Sequence, residues 1–276
     1  MTVLETPPQT DRIDSEPSLE LVGRVDDLRA ALDVLGTVVD ECLLRWRPDG
    51  IHVTAVDPAL VAMVDLELPA DAFEYYSAGD RAIGVDLKRL DEVLSLADRE
   101  RAVRFTGYPD QGSLRIESGD LEYAIGLLDP DAIRTPPSPE EFDLDGVERA
   151  TVGTTGRRIG AAVRAAETVA DFLEIGVVPG TDPTFYVAAA GDTDEMVLSV
   201  AEDELRSIST AECDQSTDAI RSLFSVQYLR EFERALPADA DVRVRVATEA
   251  PLEIRFDVAA GEGAVTYLLS PRIRQQ

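Results

Sequence analysis

Carboxylates are the one residue type dense enough in this chain to suggest chemistry. They cluster at Asp26-Asp27, Asp129/Asp131, Asp192/Asp194 and Glu202-Asp203-Glu204. Hard divalent cations are held by several such oxygens, so each cluster could be drawn as a metal site. However, Asp192 to Glu195 lacks the spacing of a calcium loop, and the chain carries 54 acidic residues. At that density short clusters arise by chance on a solvated surface, and the expectation is no metal and no cofactor. The one histidine, His52, alternates with Ile51 and Val53 and reads as a surface or turn residue. Cys42 and Cys213 form no metal or redox spacing and read as idle thiols. No nucleophile motif, phosphate loop or dinucleotide fingerprint is present. An acidic metal-dependent enzyme is thus the weaker reading, and the chain is expected not to be an enzyme.

Those acids set the physical setting instead. Against 54 acidic residues stand 26 basic ones, a formal net charge of −28, and Lys88 is the only lysine. Acidic excess with lysine depletion fits a protein of concentrated salt, where a Debye length of about 3 Å screens self-repulsion. Taken alone, the charge argues against nucleic acid as a partner. The composition, 45% hydrophobic, is that of a folded chain of one large or two ordinary domains. No apolar run reaches membrane-spanning length, and residues 1–18 read as a flexible acidic tail without a signal-peptide core. A cytoplasmic, nucleoid-associated location is expected.

The elements that must position these residues follow from periodicity. Strands are expected at Leu19 to Val25, Leu43 to Trp46, Ile51 to Asp57, Val61 to Leu68 with a break at Asp65, and Ala82 to Val85. Further strands are expected at Ala102 to Phe105, Ser113 to Glu117 and Leu121 to Leu127. Helices are expected after Asp26 and after Asp86, each capped by that aspartate; Ala70 to Asp80 reads as irregular. The order recurs beyond residue 146. Strands at Ala150 to Val152, Phe172 to Val178, Thr184 to Ala189, Met196 to Val200 and Ile220 to Phe224 accompany helices capped by Thr154 or Thr155 and by Ser225. Val242 to Ala247, Leu252 to Val258 and Ala264 to Leu269 close the chain.

Between the halves, Leu127 to Leu144 contains four prolines, which exclude a helix interior or central strand and favour an extended, semi-stiff connector. Leu127-Leu128-Asp129-Pro130 parallels Leu268-Leu269-Ser270-Pro271, which indicates an internal duplication of roughly 110–130 residues. The fold class expected is α+β: two similar domains, 19–128 and 146–276, each with two helices on antiparallel sheets, joined by a connector at 129–145.

Three stretches then carry a family resemblance. They are Gly50-Ile51-His52-Val53-Thr54-Ala55-Val56-Asp57, Ala82-Ile83-Gly84-Val85-Asp86-Leu87, and Pro251-Leu252-Glu253-Ile254 through Tyr267-Leu268-Leu269-Ser270-Pro271-Arg272-Ile273. In their order and spacing they resemble the DNA sliding clamps of the proliferating-cell-nuclear-antigen family, in an archaeal and halophilic form. The resemblance spans Leu19 to Ile273. It implies a homotrimeric ring around duplex DNA, helices lining the hole, that raises polymerase processivity. A ring holds DNA by topology, which answers the charge objection. It also implies partners: two further copies, and a DNA polymerase, clamp loader, flap nuclease and ligase bound through short hydrophobic peptides, with no membrane.

Site residues follow from the resemblance. The DNA-facing set is Arg29, Lys88, Arg89, Arg157, Arg158, Arg164, Arg230 and Arg234, with Gly36, Glu92, Ser95 and Ala161 standing where relatives are often basic. The peptide pocket is Val56, Phe142, Leu144, Pro251, Leu268, Leu269, Ser270, Pro271, Arg272 and Ile273. The subunit interface is Leu121 and Tyr123 against Met196 and Leu198. The alternative within the same class is a clamp-like subunit of a heteromeric repair or checkpoint ring.

Overall fold

The structure is a computed structural model that describes residues 17–99, 101–134, 136, 149–210 and 218–272. The first half runs Leu19–Arg24 (β1), Val25–Gly36 (α1), Glu41–Arg47 (β2), Gly50–Val56 (β3), Ala62–Pro69 (β4), Tyr75–Ala78 (β5), Arg81–Asp86 (β6), Leu87–Leu94 (α2), Ala102–Tyr108 (β7), Ser113–Ser118 (β8) and Leu121–Gly126 (β9). The second runs Arg149–Thr155 (β10), Gly156–Glu167 (α3), Phe172–Val178 (β11), Thr184–Ala190 (β12), Glu195–Ala201 (β13), Ser207–Ser209 (β14), Ile220–Ser225 (β15), Val226–Ala235 (α4), Asp241–Ala247 (β16), Leu252–Val258 (β17) and Gly263–Leu269 (β18). Element for element, the order repeats.

The hydrogen-bonding pattern repeats too. β5-β1-β7-β8-β9 in the first half corresponds to β14-β10-β16-β17-β18 in the second, and β4-β3-β2-β6 to β13-β12-β11-β15. One junction joins the halves. β18 pairs antiparallel with β4, from Ala264 opposite Glu67 to Leu269 opposite Ala62, and fuses two sheets into one of nine strands. The strands that correspond to this pair, β9 and β13, both lie at sheet edges.

Helices cover one face of these sheets. On α2, Leu87, Leu90, Val93 and Leu94 are buried, and each such side chain removed from water contributes about 1.5–3 kcal/mol. Asp86 caps it, accepting from the Arg89 amide at 2.9 Å. The other caps differ from expectation. α1 begins at Val25, whose buried side chain fixes the start, so Asp26 lies inside the first turn and the N-cap residue is Arg24. Thr155 and Ser225 occupy N-cap positions without a side-chain capping bond. Nor does Asp65 break its strand: it accepts from Thr54 Oγ1 of the neighbouring strand at 2.7 Å.

The halves also meet through side chains. Tyr267 of β18 is buried, its ring stacked on Phe232 of α4 at 4.1 Å, while its hydroxyl donates to the Val34 carbonyl of α1 at 3.0 Å. The connector does not start extended. Pro130–Ala132 forms a 3-10 turn, with the Asp129 carboxylate accepting from the Asp131 amide at 3.0 Å, and Ile133 is buried.

The duplication is real, but its register is not that of the Leu-Leu-Asp-Pro and Leu-Leu-Ser-Pro parallel. The Leu128 amide donates to the Gly84 carbonyl of β6, and the Arg272 amide donates to the Leu223 carbonyl of the corresponding β15. Leu128 therefore corresponds to Arg272, Tyr123 to Tyr267 and Ile125 to Leu269.

Candidate interaction surfaces

Several of these clustered acids are engaged locally. Asp27 lies 3.6 Å from Arg24, Asp26 4.0 Å from Arg99, and Glu204 3.7 Å from Arg158. Among the described residues no group of three or more His, Cys, Asp or Glu is arranged to hold a metal ion. His52 sits half-buried on β3, 3.4 Å from Asp49. Cys42 is buried, which pushes its thiol up to about 12 and keeps it protonated and inert; Cys213 lies outside the described residues.

The cations expected to face DNA are largely neutralised. Arg29 of α1 donates to Asp91 of α2 at 2.8 Å. That bond, together with the carboxylates around it, raises the Arg29 pKa despite partial burial. On the second pair of helices, Arg164 and Arg230 both bond Glu233, and Arg230 also meets Glu167 at 2.7 Å. Arg234 donates to Glu231 at 2.6 Å, and Arg157 to Asp239 at 2.7 Å. Lys88 is exposed and, among the described residues, has no ion-pair partner. Two of the eight point elsewhere. Arg89 bonds the Tyr123 hydroxyl and packs over its ring at 5.4 Å, beside edge strand β9. Arg158 donates to the Glu204 carbonyl at 2.6 Å, in the turn that follows edge strand β13. At Gly36 and Ala161 the helix faces are exposed but carry no charge.

The described residues of the expected peptide pocket lie around the β4–β18 junction. Val56 lies opposite Met63, and Met63 opposite Leu268, so one cross-strand row spans three strands. Directly opposed residues point to the same face. Leu268, Ser270, Pro271 and Pro251 are half-buried, Val56 is nearly covered, and Arg272 extends outward with its guanidinium 4.0 Å from the Phe172 ring centroid. Leu269 is the correction: alternation turns it inward, and at 0% exposure it belongs to the core. Phe142, Leu144 and Ile273 lie outside the described residues.

Two residues absent from the expected set complete this surface. Met63 sits in the middle of the row. Leu60 is 57% exposed at φ +60°, on a turn held by Asp57. The Asp57 carboxylate accepts from the amides of Ala59, Val61 and Ala62 at 3.0, 2.7 and 2.7 Å and from the Tyr228 hydroxyl at 2.9 Å. Burial opposes its charge, but these four donors prevail and hold its carboxyl below the ordinary value. An apolar residue at the tip of an Asp-Pro turn was the signal for Leu60, because turn tips are normally polar. Beside Val56 a cleft of about 580 Å³ opens between Leu43, Pro58 and Ile133-Arg134, and Arg134 donates to the Pro58 carbonyl at 3.1 Å.

On the free edges, Leu121 and Tyr123 of β9 and Met196 and Leu198 of β13 are half-buried on the helix-covered face, and Val197 is exposed. Exposed backbone donors and acceptors on an apolar edge are a template for another chain.

The class is that of a duplicated two-layer α+β chain with two matching sheet edges and an apolar groove at its internal junction. The comparisons give the family. The description "Proliferating cell nuclear antigen, N-terminal domain" matches residues 25–117. The DNA polymerase sliding clamp of Natronomonas pharaonis is 40% identical over 249 residues, covering 90% of this chain and 96% of that protein. The sliding clamp of Methanocella arvoryzae is 37% identical over 246 residues, covering 89% and 95%. Among solved structures, A. fulgidus PCNA bound to the C-terminal region of FEN-1 superposes with a TM-score of 0.82 at 28% identity, over 94% of this chain and all of that one. The chain belongs to the DNA polymerase sliding clamp family.

Proposed function

We propose that three copies of this chain close head to tail into a ring around duplex DNA, acting without catalysis as a tether that raises polymerase processivity. Residues 19–128 and 146–276 are read as its two clamp domains, with 129–145 the connector. The observation that carries this is the pseudo-symmetry. Inside the chain β18 pairs with β4; their counterparts β9 and β13 pair only on their inner sides among the described residues, and two chains can repeat the junction by joining the outer edge of β9 of one to that of β13 of the next. At the internal junction Tyr267, Val265, Val64 and Leu66 are fully buried, while the counterparts Tyr123, Leu121, Met196 and Leu198 are half-exposed. Pairing would cover them as well.

The groove of Val56, Met63, Leu268, Pro251, Ser270 and Pro271, with Leu60 at its rim, fits a short hydrophobic peptide anchored by apolar side chains. FEN-1 bound to A. fulgidus PCNA supports a flap nuclease as one such partner; a polymerase, clamp loader and ligase follow from the family. Phe142, Leu144 and Ile273 complete the pocket in this reading. The helix cations, most already paired, leave DNA held by enclosure more than by contact, since few phosphate charges would be neutralised. With a matched polymerase and clamp loader in molar salt, the ring raises product length on primed DNA. No gain in processivity would overturn the reading.

A further inference from the structure

We infer that Arg115 of one subunit and Glu195 of the next form an ion pair that locks the register of the subunit junction. This rests on the head-to-tail reading above.

The register follows from the internal junction. β4 and β13 each run directly into a 3-10 turn, Ala70–Ala72 and Glu202–Glu204, so Pro69 corresponds to Ala201, Leu66 to Leu198, Val64 to Met196 and Met63 to Glu195. On the other strand Tyr267 corresponds to Tyr123, Val265 to Leu121 and Leu268 to Ala124, from the amide bonds of Arg272 and Leu128. Tyr267 lies opposite Val64, Val265 opposite Leu66 and Leu268 opposite Met63. Transferred to the subunit junction, Tyr123 faces Met196, Leu121 faces Leu198 and Ala124 faces Glu195. The first two pairs fall on the helix-covered face and are apolar on both sides.

The outer face behaves differently. Leu252 pairs with Leu269, and Leu114 with Ile125, so Arg115 corresponds to Glu253. The internal row Glu253–Leu268–Met63 thus becomes Arg115–Ala124–Glu195, with opposite charges at its ends and a methyl group between them. Two strand spacings, about 9–10 Å, separate the end residues, a span that the two long side chains bridge across a small one. In the isolated chain the Arg115 Nε is buried without a hydrogen-bond partner, with Glu122 3.5 Å away. Glu122 thus approaches the guanidinium from one side through its Nε, and the partly exposed remainder of the group is left to accept a second carboxylate arriving over Ala124. The same substitution removes the apolar row that serves as the docking floor inside the chain, so the subunit junction gains a pair where the internal junction keeps a groove.

The test uses the full chain with Arg115→Glu, Glu195→Arg and the double variant, assayed by sedimentation equilibrium in molar potassium chloride after cooperative unfolding is verified for each. Each single variant is expected to weaken association roughly three- to tenfold per interface, and the double variant to recover to within about threefold of the parent. A net-charge effect alone would make Glu195→Arg tighten the ring, because it removes negative charge, and that result would overturn the pair. Unchanged association in both singles, or no recovery in the double, would overturn it too. A parent chain that stays monomeric would instead sink the head-to-tail reading beneath it. Independently, Leu121→Cys with Leu198→Cys in a Cys213→Ser background should oxidise to a covalent ring, whereas Leu121→Cys with Met196→Cys should not; the reverse would contradict the register.

Discussion

Tyr228 of α4 donates its hydroxyl to the Asp57 carboxylate at 2.9 Å, joining a helix of the second half to the turn that ends β3 in the first. That turn presents Leu60, and β4 leaves it to pair with β18. One carboxylate therefore shapes the rim of the proposed groove and braces the internal junction.

Replacing Asp57 with Ala leaves three amides short of an acceptor and should destabilise the fold by about 2–4 kcal/mol, and Tyr228→Phe by about 0.5–1.5 kcal/mol. The pH dependence has a definite sign. Because the folded-state carboxyl is held below its unfolded value, its contribution is present above the unfolded value and is lost as pH falls through the folded one. Urea midpoints in high salt should drop below the ordinary carboxylate range in the parent and drop less in Asp57→Asn. Equal acid sensitivity in both would contradict this.

Leu268 and Leu269 are neighbours with opposite fates. Leu268→Asp should keep the thermal midpoint within a few degrees and weaken a hydrophobic partner peptide at least tenfold, about 1.4 kcal/mol. Leu269→Asp buries an unpaired charge and should fail to fold at all. Calorimetry paired with peptide titration separates the two. A well-folded Leu269→Asp chain, or full peptide affinity in Leu268→Asp, would refute the placement.

Much of the fold could be read from the residues, and the failures have physical causes. Phe172–Val178 and Leu252–Val258 were bounded by their own turn residues, and the Asp86 cap by the amphipathic run behind it. Tyr75–Ala78 and Ser207–Ser209 went unseen because each is a short edge strand, defined by pairing with the distant β1 or β10. The repeated Leu-Leu pair misled in register: Leu127-Leu128 follow the end of β9, whereas Leu268-Leu269 lie within β18. Letters repeat without fixing which backbone groups bond. The proposed groove was half legible, since Val56 and Leu268 stand in the stretches that carry the family resemblance, but the Met63 that joins them appears only once β4 and β18 pair. Of the ion pairs on the helix arginines, Arg29 with Asp91 and Arg164 with Glu233 were not legible because they join separate helices, whereas Arg230 with Glu233 and Arg234 with Glu231 sit one turn apart on α4, a spacing the residues do show.

Those pairs predict how the proposed channel responds to mutation. Glu233→Gln frees Arg164 and loosens Arg230, and should steepen the salt dependence of DNA affinity by roughly one to two counterions per subunit. Arg164→Ala should change that affinity less than about threefold. Fluorescence anisotropy of a ring-loaded duplex across potassium chloride concentrations reports both. A large loss in Arg164→Ala would show that the arginine already contacts phosphate.

The most direct measurement is the mass of the chain in solution. Sedimentation equilibrium at micromolar concentration in molar potassium chloride should give three copies of the 30.0 kDa chain, falling to one when Leu198→Glu puts a charge on β13. At low salt, the net charge of −28 on each copy should loosen the ring. A monomer at every concentration and salt, or an assembly indifferent to Leu198→Glu, would contradict head-to-tail closure through β9 and β13.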